Sequence, residues 1–227
     1  MQITDQLITA IIQVGTVLGL SLIVYGIHWI LSLRKLGRPS FFEYIGIQSA
    51  KAQLDSKFLM ILIVLIVFAV LSTYIEFQYS ANFRQMLMNQ SSPYAKILKD
   101  GFNIQSVILA LIYCFIMASG SEEILFRGLI ARRFFSSINF FKANLIQALI
   151  FWLMHLVIVG LITGNWISYI QLVAFVTSFG MGLVLGYVNF RKGGKSILLS
   201  WILHGSANFF TFLTLAPVFF IELKFKL

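Results

Sequence analysis

Six stretches of this chain are too long and too apolar for a water-soluble fold, at about 7–33, 58–74, 104–127, 143–159, 166–188 and 196–221. Apolar runs of about 17–25 residues read as helices that cross a bilayer, because in hydrocarbon a helix satisfies its own backbone N–H and C=O groups. Composition agrees: 59% of the 227 residues are hydrophobic and only 11% are charged, where a soluble domain carries about 25% charged residues. The expectation is an all-α chain, a polytopic membrane helical bundle of about six transmembrane helices. It should form one integral membrane domain over 1–227, multi-pass in the cell membrane. The opening MQITDQ has no basic n-region, and the run after it is too long for a signal-peptide core, so it is expected to be a retained span.

The net charge of +9 is not a nucleic-acid signature here. The basic residues stand in short clusters between apolar runs, where anionic lipid headgroups are the fitting partner. Arg34, Lys35, Arg38, Lys51 and Lys57 follow the first run, Arg132, Arg133 and Lys142 the third, and Arg191, Lys192 and Lys195 the fifth. By the positive-inside rule these three segments are cytoplasmic and both termini lie outside. The opposite side carries Arg84, Lys96 and Lys99 in one long loop and Lys224 and Lys226 in the tail. In the first cytoplasmic loop, Pro39, Phe41, Phe42 and Tyr44 suggest a segment lying at headgroup level. Gly182 and Gly186 have the GxxxG spacing that lets a neighbouring helix approach, a packing feature. The single cysteine, Cys114, lies within an apolar run and reads as a packing residue, with no disulfide framework or Cys-only zinc site to join.

Against this background a few polar residues stand out, since an ionisable group at bilayer depth costs several kcal/mol and marks function by default. They are Glu122 and Glu123 in the third run, His155 in the fourth, and His204 with Asn208 in the sixth. At 1.5 Å per residue, Glu122 stands about 15 Å above Arg132, His155 about 20 Å above Lys142, His204 about 14 Å and Asn208 about 20 Å above Lys195. All fall in one slab. Glu123 and Arg127, at i and i+4, can pair on one face, which leaves Glu122 as the free carboxylate. His204 and Asn208 share the same spacing and place an imidazole and an amide one turn apart, a pair suited to an oxyanion.

Other intramembrane proteolytic chemistries lack their residues. There is no HExxH, no Asp within a span (Asp5, Asp55 and Asp100 are terminal or in loops) and no GxSxG. Three short motifs do occur in order: EExxxR as Glu122, Glu123 and Arg127, FxxxH as Phe151 and His155, and HxxxN as His204 and Asn208. In this the chain resembles the CAAX protease and bacteriocin-processing family, the group that contains the type II CAAX prenyl endopeptidase. The resemblance covers roughly 104–212, and FFEYIGIQ looks like the aromatic linker common upstream.

The resemblance implies an intramembrane endopeptidase acting on a peptide or a membrane-anchored protein. The carboxylate matching Glu122, with the histidine matching His155, would activate water. His204 and Asn208 would stabilise the oxyanion, and Glu123 with Arg127 would hold the architecture. Glu122, His155 and His204 are also a thermolysin-like zinc set, but with zinc on Glu122 and Glu123 paired to Arg127 no carboxylate is left as base. Metal-free catalysis, with no cofactor, is the preferred reading. A non-proteolytic role in bacteriocin immunity or peptide binding is the alternative function.

Overall fold

Every apolar run becomes helix, as backbone in hydrocarbon requires. The computed structural model describes residues 3–31, 39–48, 54–89, 92–164, 166 and 169–225, and no strand occurs among them. In chain order the helices are α1 (Ile3–Leu31), α2 (Phe41–Tyr44), α3 (Ser56–Tyr79), α4 (Ala81–Met88), α5 (Pro93–Leu98), α6 (Ile104–Ser137), α7 (Phe140–Thr163), α8 (Tyr169–Tyr187) and α9 (Leu198–Phe225). Six of them, α1, α3, α6, α7, α8 and α9, are long and apolar enough to span a membrane. Side-chain caps set several starts: Asp55 accepts from Phe58 N–H, Asn103 forms a capping box with Ser106, and Asn139 accepts from Lys142 N–H. Gly164 closes α7 in the left-handed conformation at φ 69°.

Large apolar side chains on α1 and α3, among them Ile11, Ile12, Ile23, Met60, Ile63 and Val64, point outward. In lipid such exposure carries no penalty, and the protein is a multi-pass membrane protein. The α7–α8 contact uses the two spaced glycines. A Cβ on Gly182 would meet Ala148 Cα at 3.0 Å, and one on Gly186 would fall on the Asn144 and Gln147 amides. Those amides donate across the contact, Gln147 to Gly182 O at 2.6 Å and Asn144 to Leu183 O at 3.0 Å.

Three features differ from the sequence reading. First, α6 does not stop near Arg127 but continues to Ser137. Carbonyls answer the basic residues on the way: Arg132 donates to Lys195 O at 2.9 Å, and Arg133 to Tyr44 O at 3.0 Å and Gly128 O at 2.7 Å. Second, the Tyr44 ring does not face outward but is buried within the protein together with Ile45, with Arg133 stacked 3.4 Å from its centroid. Gly46, at φ 77°, turns the chain so that its carbonyl accepts from Ile197 N–H, and a Cβ on Gly128 would strike Ile45 O. Phe42 alone of the linker aromatics is widely exposed. Third, the long loop between α3 and α6 is structured: α4 and α5 fold back, and Phe83, Leu87, Ile97 and Leu98 are buried with Phe77 and Phe212. Arg34, Lys35, Arg38, Lys51, Asn165 and Lys226 lie outside the described residues.

Candidate active site in the membrane interior

The catalytic candidates begin on α6, whose winding is unusual. Two stretches, Ile112–Gly120 and Glu123–Ala131, are π-helical, with hydrogen bonds spanning five residues and a wider turn than an α-helix. Ser121 and Glu122 sit at the join, where the Ser121 N–H returns only three residues to Ala118 O. Such insertions recur at functional sites, and hydropathy carries no trace of them.

At this join the two carboxylates diverge. Glu123 turns inward and is fully buried; its Oε1 lies 3.1 Å from Arg127 Nη1 and 3.0 Å from His204 Nδ1 on α9. Glu122 keeps 23% of its side chain accessible, and its Oε2 stands 3.7 Å from His204 Nε2, beyond a direct hydrogen bond. That oxygen is itself buried and has no hydrogen-bond partner among the described residues. The Glu123–Arg127 pair is therefore as expected, whereas the His204–Glu123 hydrogen bond was not. Glu122 and Glu123 are adjacent, and spacing alone does not show which of them reaches a third helix.

His155, on α7, makes no hydrogen bond with Glu122. Its Nδ1 lies 2.8 Å from the Phe151 carbonyl. A carbonyl only accepts, so Nδ1 is the donor, and in the neutral ring Nε2 keeps its lone pair. The same reasoning gives His204 a protonated Nδ1 facing Glu123. The histidine nearest Glu122 is thus His204 and not His155.

The two imidazoles meet around one ring. Phe151 is 4.6 Å from the His155 ring and 5.9 Å from the His204 ring, while the Arg127 guanidinium lies 4.3 Å over its face. Phe126 closes the other side edge-on at 5.0 Å. The Arg127 side chain is wholly buried, and cation–π contact with Phe151 supplements its single carboxylate partner. Asn208, one turn along α9 from His204, donates through Nδ2 to Ser119 Oγ at 3.1 Å, which turns the amide toward α6 and the same site.

The zinc alternative needs Glu122, His155 and His204 around one point. The described residues contain no group of three His, Cys, Asp or Glu side chains arranged to hold a metal ion. Both histidines turn Nδ1 to an acceptor, Glu123 for His204 and Phe151 O for His155, which leaves Nε2 of each facing away from that partner. A zinc site would need the three side chains gathered more closely than they stand here, and no step is drawn through it.

Residues 104–210 match the sequence profile of the family described as type II CAAX prenyl endopeptidase, Rce1-like. Over these residues the chain is similar to the Rce1-like family. The matched segment contains every side chain of the cluster above, from Glu122 to Asn208, and the match points to an intramembrane protease of the CAAX type. Helices α1 to α5 lie outside it. Searches among curated proteins and among solved structures found no match.

Proposed function

We propose that this Rce1-like protein is an intramembrane endopeptidase that hydrolyses a peptide bond in a membrane-anchored protein or peptide, using water activated by Glu122 and no metal. The observation that carries the reading is the contrast between neighbours. Each has one buried oxygen without a hydrogen-bond partner among the described residues, but Glu123 is paired through Oε1 to Arg127 and His204 and has no accessible surface. Glu122 instead keeps 23% of its side chain accessible and makes no contact closer than the 3.7 Å to His204 Nε2 among the ion pairs, so water can reach it. In a low-dielectric interior an uncommitted carboxylate oxygen is a strong proton acceptor.

In the proposed step, the water oxygen bonds to the scissile carbonyl carbon as Glu122 takes one water proton. His155 Nε2, with its free lone pair, orients the water by accepting from its other O–H. The carbonyl electron pair moves onto oxygen. In its doubly protonated form His204 donates through Nε2–H, with the second Asn208 N–H, to that oxyanion, and Glu123 on Nδ1–H offsets the charge of that ring. Collapse breaks the C–N bond, and Glu122 passes its proton to the leaving nitrogen.

The test is Glu122→Gln, which keeps shape and removes the acceptor. Cleavage of a peptide library by the chelator-treated protein in detergent should fall at least about 100-fold with substrate binding retained. Near-normal cleavage by this variant would refute the assignment. A variant that fails to cut yet keeps its full biological phenotype would point to binding as the function.

A further inference from the structure

Helix α1 lies outside the family match, yet it sends one side chain to the join that carries Glu122. Gln13 Nε2 donates at 3.0 Å to Met117 O and at 3.0 Å to Ser121 Oγ. The Ser121 hydroxyl faces Met117 O and, at 3.1 Å, Ala118 O. These carbonyls belong to the last turn of the first π-helical stretch, where the backbone ladder changes register just before Glu122. On the other side of α6, Trp201 Nε1 donates to Phe115 O, and a Cβ on Gly120 would meet the Trp201 ring at 2.8 Å. The wide turn is gripped from both flanks, and α1 supplies the grip nearest the base.

We infer that Gln13, together with Ser121, positions the Glu122 carboxylate by fixing this change of register. The inference rests on the reading of Glu122 as the base and extends the working site to a helix outside the matched family segment. A carbonyl in a membrane interior has no water to fall back on. Removing the Gln13 donor therefore lets the join relax toward a regular helix, which would rotate Glu122 relative to His204. A misplacement of about 1 Å can lower turnover by up to about 100-fold without touching substrate binding.

The experiment compares Gln13→Met, Ser121→Ala, their double variant and Gln6→Met in the full chain. Gln6 is the internal control: it lies on the same helix, is buried, and donates to the Met117 sulfur at 3.7 Å without touching the backbone at the join. Gln13→Met and Ser121→Ala should each lower kcat at least about tenfold with KM within about twofold. The double variant should be no worse than the poorer single one, because both act on one contact. Gln6→Met should keep kcat.

A second readout does not need turnover. The rate at which a hydrophobic carbodiimide modifies Glu122, read by mass spectrometry against Glu76 on α3, should change at least about threefold in Gln13→Met and not in Gln6→Met, since displacement of about 1 Å alters reactive geometry. If Glu122→Gln cleaves normally while this labelling still responds to Gln13→Met, the base assignment falls and the positioning stands. Unchanged kcat and unchanged labelling overturn the inference, as does a loss of kcat that Gln6→Met matches. Should Gln13→Met fail to fold, Ser121→Ala decides by the same thresholds.

Discussion

Removing the Arg127 side chain leaves Glu123 with His204 alone to answer its charge, in a position with no accessible surface. Breaking a buried pair from one side costs about 3–5 kcal/mol. Arg127→Ala should therefore lower the thermal midpoint in detergent together with activity, and Glu122→Gln should lower activity alone. Asn208 behaves differently again. Its amide borders the site through Ser119, so Asn208→Ala should reduce kcat about 100-fold with little change in KM, as expected for a donor that matters in the transition state. A KM effect larger than the kcat effect would remove it from the proposed oxyanion pair. At this scale the sequence was informative about which residues matter, since polar groups at one depth are rare. It said less about who touches whom. Phe151 was legible only as a neighbour of His155, yet it also carries the Arg127 guanidinium on its face and borders His204.

Among the elements, the start of α3 is tied by one part-buried pair to the π-helical turn Val188–Lys192 that follows α8. Asp55 caps α3 and its Oδ2 lies 2.7 Å from Lys192 Nζ. The hydrogen bond from Lys192 holds the Asp55 carboxyl below its ordinary value of 3.8, helped by the Phe58 N–H. A depressed carboxyl stabilises the fold above its ordinary value, and that stability is lost as pH falls through the folded one. The thermal midpoint of the wild type should thus fall more steeply below about pH 4 than that of Asp55→Asn, in which the titration is absent. At the α7–α8 contact, Gly186→Ala should destabilise the fold by more than about 1 kcal/mol, because the new methyl displaces two amides that bond across the helices. Melting measured for the purified variant checks it. The spans were legible from apolar run length. The extension of α6 was not, because carbonyls from distant segments accept from its arginines, and side chains from α1 and α9 bond to carbonyls of its first π-helical stretch.

For the molecule as a whole, the basic clusters predict that the loop bearing Lys99 is outside and the α6–α7 turn is cytoplasmic. Impermeant thiol reagents should label Lys99→Cys in intact cells and Ser137→Cys only after permeabilisation, and the reverse pattern would invert the topology. Six spans and the region carrying the motifs were readable in advance. The folded loop between α3 and α6 was not, since α4 and α5 are short and pack over Phe212 and its neighbours. The burial of Tyr44 and Ile45 also bears on biosynthesis. Their pocket is built from Gly128 and Ile197, which leave the ribosome long after residue 45 does. The linker after the first span must therefore wait undocked until the last helix is made. Nascent chains stalled before residue 196 should then be clipped in this linker by a cytoplasmic protease, and full-length chains should resist.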